Sequence, residues 1–283
     1  MPPSATSAPA RTVSVRPSLI LVGAGEHAHV VGESAEMSGW TVLGCVDPQR
    51  PARRLPWPWL GDDAALGSLR RKHPQTQLIL AFAGAGRAQA AQRILDWEWA
   101  TVIDPAAVVS PGARIAAGVF VGPLALVHVG ARIGAHAIIN SGAIVEHDVR
   151  IGAFAHVAPG AVLGGGVTVG KSALIGLGAS VRDHIRIGAS AIVGLGAAVV
   201  GNVKAGTTVL GVPARPVKVA PASAGTDGGP RHTECAEYER KHCPSRPAEA
   251  GATEGERKVS DVSDVSDIVA RVQTPNRKNR KER

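Results

Sequence analysis

The chain has 283 residues, of which only 3% are aromatic, and a formal net charge of +8. That length accommodates two domains with cores of their own, and no apolar run approaches the roughly 18 residues of a membrane-spanning helix. Three cysteines, Cys45, Cys235 and Cys243, supply neither a disulfide framework nor zinc-finger spacing, so a reduced, cytoplasmic setting is expected.

In chain order, residues 1–17 are rich in Ser, Pro and Ala and read as a disordered leader without signal-peptide character. Residues 18–102 alternate strands and helices. A strand over Ser18–Val22 leads through Gly23-Ala24-Gly25 into a helix from about His27 to Met37. Further strands are expected at Trp40–Val46 and Leu78–Phe82, and a helix at Arg87–Leu95. This alternation predicts a small parallel α/β sheet. Glycines in the first strand–helix turn let a phosphate approach the backbone, where the helix N-terminus offers free N–H donors. Asp47, at the end of the second strand, is suited to accept hydrogen bonds from a ribose or base. The turn is shorter than a full dinucleotide signature, because Val30 stands where a third glycine would close the packing.

Eighteen six-residue repeats then run from Ile103 to Leu210. Each opens on a large aliphatic residue except the last, which opens on Ala205, and the fifth positions are all Ala, Val or Ile. A period of six fits neither a helix nor an alternating strand. It fits a parallel β-helix of about six triangular coils. A merely Gly/Ala/Val-rich tract would not hold such a register. Glycines at the second position, such as Gly122, Gly134, Gly152 and Gly170, are expected at tight corners with positive φ. Pro213 and Pro216 are expected to stop further pairing. Residues 221–283 are polar and charged, with a repeated Ser-Asp-Val, and read as a disordered tail.

Residues 103–220 hold nine Lys and Arg against four Asp and Glu, so the repeat region is the basic part. Without aromatic stacking residues or clustered Arg stripes it does not read as a nucleic-acid binder. A small polyanion such as coenzyme A or a nucleotide fits better.

The four acidic residues there are Asp104, Glu146, Asp148 and Asp183, and two of them flank one histidine in Glu146-His147-Asp148. A carboxylate beside an imidazole raises its basicity and fixes its tautomer, as a general base requires. The other repeat histidines are His128, His136, His156 and His184. No ligand spacing among them compels a metal site, although their number leaves zinc as a possibility.

The Gly-X-Gly-X-His loop, the segment Ile139-Asn140-Ser141-Gly142-Ala143-Ile144-Val145-Glu146-His147-Asp148 and the segment Gly152-Ala153-Phe154-Ala155-His156-Val157 resemble the sialic acid O-acetyltransferase-like sugar acyltransferases. That family includes bacterial N-acetyltransferases of nucleotide-linked 4-amino sugars, and the resemblance covers about residues 18–218. It implies a Rossmann-like nucleotide-sugar-binding domain over 18–102 and a left-handed β-helix over 103–220. The implied activity is acetyl transfer from acetyl-CoA to an amino or hydroxyl group of a sugar in bacterial surface glycan biosynthesis. The protein would act as a homotrimer with sites between subunits and without a metal.

By the same resemblance, His147 is the general base and Asp148 its orienting carboxylate. His156 contacts the thioester carbonyl, and the N–H of Gly165 helps hold that oxygen. Asn140 touches the sugar. Gly23, Gly25 and His27 line the nucleotide phosphates, with Asp47 at the base. The nine-residue separation of His147 and His156 is half a coil, which favours a site shared between subunits. Glu26 and Gly84-Ala85-Gly86 depart from the family pattern at the nucleotide end. The alternatives are a non-catalytic trimeric β-helix scaffold and a carbonic-anhydrase-like enzyme with three zinc-bound histidines.

Overall fold

The computed structural model describes residues 16–217 apart from 52–54 and 85; the expected leader, the tail, Cys235 and Cys243 lie largely or wholly outside the described residues. Strands β1 (Ser18–Val22), β2 (Thr41–Val46), β3 (Trp59–Gly61) and β4 (Gln77–Leu80) form one parallel sheet in the order β3-β2-β1-β4. The central β1 is apolar throughout because both of its faces are covered. Leu19 and Leu21 pack on α1 (Glu26–Met37), while Ile20 and Val22 face α2 (Leu66–Lys72) and α3 (Arg87–Arg93). Strand β3 and helix α2 were not expected from the sequence. Trp57, between them and β2, lies against Gly32 of α1, where even a methyl group would overlap its ring. Its Nε1 donates to Glu36 Oε1 at 2.8 Å.

The repeats form a left-handed parallel β-helix of two-residue strands stacked in three sheets. The first sheet carries Val102–Ile103, Phe120–Val121, Ile138–Ile139, His156–Val157, Leu174–Ile175 and Ile192–Val193. The second runs from Val108–Val109 to Ala198–Val199, and the third from Arg114–Ile115 to Arg186–Ile187. First-position aliphatics and fifth-position alanines and valines together make one continuous buried core.

Four expectations are corrected. The positive φ angles fall at the fourth repeat position, as at Gly142 (φ 64°), Asp148 (φ 60°) and Phe154 (φ 60°), not at the second. Glycine is needed at the second position after the third sheet because the coils approach so closely there: a Cβ on Gly134 would stand 2.6 Å from Ala153 N. The register is also broken once. Ile187 pairs with Val203 and Val193 with Val209, so Val203 and Val209 open the last two repeats, two residues earlier than the unbroken reading. Asn202 Oδ1 fills the gap by accepting the Arg186 N–H at 2.8 Å. Pro216 does not stop pairing: Arg215–Val217 runs antiparallel to Thr208–Leu210, with Pro216 opposite Val209. A proline is tolerated there because the strand is an edge. Finally, Arg114, Arg132 and Arg150 stack in register and line an open groove. They are 18 residues apart, so this arginine stripe is hidden in the linear sequence.

The α/β domain docks on the first sheet. Phe120 and Ile138 leave the coil and are buried among α1, β1 and Trp57. Ser34 of α1 donates to Asp104 Oδ2 at 2.6 Å. Arg87, 3% exposed, donates to the carbonyl oxygens of Phe82 and, at 2.7 Å, of His136. The His136 ring stacks on Phe154 at 4.9 Å and meets the edge of Trp99 at 4.7 Å. The His27 ring meets Phe120 at 5.6 Å. Burial, and then the Arg87 charge, lower the pKa of both His27 and His136 to about 4.

These contacts set two expectations for stability. Gly134→Ala should cost about 3 kcal/mol by forcing adjacent coils apart. Gly142→Ala has open space around it and should cost about 1 kcal/mol of left-handed strain. Urea unfolding of the two variants checks this, and equal losses would mean that coil spacing does not set the requirement. The unfolded chain takes up protons on His27 and His136 near pH 6.5, whereas the native chain resists until about 4. Their contribution to stability is therefore complete above pH 6.5 and is lost as the pH falls toward 4. Urea midpoints measured at about pH 7.5 and about pH 5 should show a drop, and His136→Phe should make that drop smaller.

Candidate active site

His147 and Asp148 occupy the corner between the second and third sheets. Asp148 takes the left-handed conformation (φ 60°), which a short polar side chain tolerates better than a branched one. This turns its carboxylate back on its neighbour, and Asp148 Oδ2 lies 3.1 Å from His147 Nδ1. Both side chains are open to solvent, 57% and 74% exposed. Glycine columns make room for them. A Cβ on Gly165, one coil on, would stand 2.6 Å from His147 Nε2, and one on Gly130, one coil back, would collide with Asp148 Oδ1. Gly165 therefore lies directly against the imidazole edge that Asp148 leaves free.

Glu146 does not flank the His147 ring as its sequence position suggests. Its carboxylate turns to His128 Nε2, 3.8 Å away and one coil back. In the turn that follows Ile144–Val145 the two side chains diverge, and among the described residues Asp148 is the carboxylate that meets the His147 ring.

A second cluster lies where the α/β domain meets the first sheet. Asn140 Nδ2 is 3.1 Å from His156 Nε2, and Asn140 Oδ1 accepts the Ser141 N–H at 2.9 Å. Burial, with His27 and Arg87 nearby, lowers the pKa of His156 to about 4. Within the chain, Asn140, His156 and His27 are brought together. His147 belongs to a different corner, and no hydrogen bond or ion pair links it to His156.

In the turn just before His27, a Cβ on Gly23 (φ 110°) would stand 3.0 Å from Phe82, and the exposed Gly25 caps α1 without a side-chain hydrogen bond. Asp47 Oδ2 accepts the Ala24 N–H and Oδ1 the Gln49 N–H, each at 2.9 Å, so this carboxylate braces the loop. The His27 side chain points away from the loop into the interdomain seam, where its Nε2 is buried without a partner. There the ring meets the edge of Phe120 at 5.6 Å, while the His27 backbone stays in the first turn of α1 beside Gly25. Arg87 is the buried residue that sequence reasoning missed. Its only signal was an arginine directly after Gly84-Ala85-Gly86, and Ala85 lies outside the described residues. Among the described residues, no group of three or more His, Cys, Asp and Glu is placed within the chain to hold a metal ion.

Residues 18–96 match the PglD N-terminal domain, and residues 130–165 match the bacterial transferase hexapeptide of six repeats. A search of curated proteins finds no significant match. Among solved structures, the chain is similar to a mutant of perosamine N-acetyltransferase from Caulobacter crescentus in complex with CoA and GDP-perosamine. The two share 37% identity over 71% of this chain and 97% of the other, with a TM-score of 0.68. It is also similar to the acetyltransferase domain of PglB from Neisseria gonorrhoeae with acetyl coenzyme A, at 31% identity over 72% of this chain and 100% of that domain (TM-score 0.67). WeeI from Acinetobacter baumannii matches at 25% identity over 70% and 99% (TM-score 0.61). With both parts present in the same order and nearly the full length of these enzymes spanned, the chain belongs to the hexapeptide-repeat sugar acyltransferase family.

Proposed function

We propose that the protein transfers the acetyl group of acetyl-CoA to the amino group of a nucleotide-linked sugar. The observation that carries this reading is the His147–Asp148 pair set over Gly165, in a chain that spans relatives captured with CoA, GDP-perosamine and acetyl-CoA. Asp148 accepts Nδ1–H of His147 and so leaves the Nε2 lone pair to act as the base. The sugar amine attacks the thioester carbonyl carbon as His147 Nε2 takes its proton. The N–H of Gly165 and the ring of His156 hold the oxyanion. Collapse expels the coenzyme A thiolate, which recovers the proton from His147.

The exposed Gly25 at the start of α1 suits the nucleotide phosphates, and the buried Gly23 shapes the turn that leads into it. Asp47 keeps its remaining lone pairs for the base or ribose, and Asn140 lies near the sugar. The working form in this reading is a homotrimer in the cytoplasm. Exposed Val108, Val129, Leu177 and Leu195 offer apolar surface for neighbouring copies, and the separation of His147 from His156 calls for groups from two chains in one site. Among the described residues, no helix is long and apolar enough to cross a membrane.

His147→Ala should lower kcat by about 10²–10⁴-fold, the usual contribution of a positioned base. Asp148→Asn should cost less, because the imidazole remains. Thiol release from acetyl-CoA with GDP- and UDP-linked amino sugars is the assay, and wild-type turnover by folded His147→Ala would place the base elsewhere. Light scattering should give three copies per particle. A fully active monomer would remove the shared-site argument.

A further inference from the structure

His156 is held by a residue whose orientation the surrounding donors decide. The Ser141 backbone N–H can only donate, so the Asn140 atom that it meets at 2.9 Å is the amide oxygen, and the Ser141 hydroxyl approaches the same atom at 3.5 Å. The other end of that amide is therefore the NH₂ group, which stands 3.1 Å from His156 Nε2. An amide NH₂ has protons to give and no lone pair to offer. His156 Nε2 must accept. A neutral imidazole with a bare Nε2 carries its proton on Nδ1, whereas an imidazolium would set two donors face to face.

The surroundings act in the same direction. Asn140 is 8% exposed. His27 approaches from α1 and Arg87 from α3, and among the described residues no carboxylate pairs with His156. Burial and these neighbours lower its pKa to about 4.

We propose that Asn140 is a positioning residue that fixes His156 as the neutral Nδ1–H tautomer, so that His156 serves the reaction only as a hydrogen-bond donor and leaves proton acceptance to His147. The proposal rests on the transferase reading for its consequence and not for its first test. It divides the labour of the two histidines by chemistry. His147 stands in an open corner with Asp148 on Nδ1, so its Nε2 is free to take a proton. On His156 the roles of the nitrogens are reversed: Nε2 is occupied by Asn140, and Nδ1–H is what remains for a ligand. That group suits a thioester oxygen gaining negative charge and is unsuited to an ammonium group.

The test begins with the full-length protein labelled with ¹⁵N-histidine, free of substrates. Long-range ¹H–¹⁵N correlation spectra assign His156 by comparison with His156→Gln. The expected result is a protonated Nδ1 and a bare Nε2, unchanged between about pH 8 and about pH 5.5. An Nε2–H tautomer, or titration at the ordinary histidine value of about 6.5, overturns the proposal. In Asn140→Asp the new carboxylate accepts from Nε2. The titration of His156 should then move upward by about 1–3 pH units, and kcat should fall as the pH rises through it, because deprotonation removes Nδ1–H. A packing role alone would lower activity without this new pH limb. If the His156 signal inverts in Asn140→Asp while the pH profile of kcat stays that of the wild type, His156 is not the donor and the proposal fails. Absence of thiol release with every nucleotide sugar would instead count against the transferase reading, since the spectra of the free protein do not depend on turnover.

Discussion

As far as Val199 each coil of the β-helix pairs with the next at an offset of 18 residues, through hydrogen bonds such as Ile138 N–H to Ala155 O at 2.9 Å and Arg150 N–H to Val167 O at 2.8 Å. The site depends on that stacking. It puts residues n and n+18 about 4.8 Å apart, so each position along the chain becomes a column. His147 and Gly165 are neighbours in one column, and Gly130 and Asp148 in the next. A side chain in place of either glycine would displace the His147 ring or the Asp148 carboxylate. Backbone spacing thus controls which functional groups can stand at the corner.

The same column logic builds the domain seam. Phe120 and Ile138 are successive outward positions of the first sheet, and His156 is the third. The first two are covered by the α/β domain, and the third lies at its margin, against His27. Docking therefore does two things at once. It buries two large apolar side chains, which favours association by the hydrophobic effect. It also brings the Arg87 charge and low polarity up to three histidines, all of which lose affinity for protons.

How much of this was legible in the sequence follows from the range of each interaction. The first-position aliphatics and fifth-position small residues are local periodicities, and they gave the β-helix directly. The pair His147–Asp148 was legible because its hydrogen bond joins adjacent residues. Glu146 misled because its partner, His128, is 18 residues away. Once the coil length is known, that contact and the Arg114–Arg132–Arg150 ladder can be read by counting. The shortened coil after Val199 could not be read so easily, since Val203 and Val209 satisfy the repeat in either register. Only the pairing of Ile187 with Val203, with Asn202 supplying an acceptor, distinguishes them. The seam was beyond reach. Arg87 meets His136 across 49 residues, and no local pattern marks an arginine that will be buried against carbonyl oxygens.

Arg87 also shows why the seam bears on chemistry as well as stability. Its guanidinium is desolvated, bonded to backbone oxygens and paired with no carboxylate among the described residues. An unneutralised charge in a medium of low polarity acts over a longer distance than a solvated one. Its field reaches His27, His136 and His156 and opposes a second positive charge on any of them. His147 lies outside that seam, at a solvent-facing corner with a carboxylate on its ring. The chain thus sets one residue type in two environments: His147 in the open beside the Asp148 carboxylate, and His156 buried near the Arg87 guanidinium. The proposed acyl transfer to an amine has a use for both, because the proton that leaves the nucleophile must go to a base while the carbonyl oxygen is held by a group that does not compete for it.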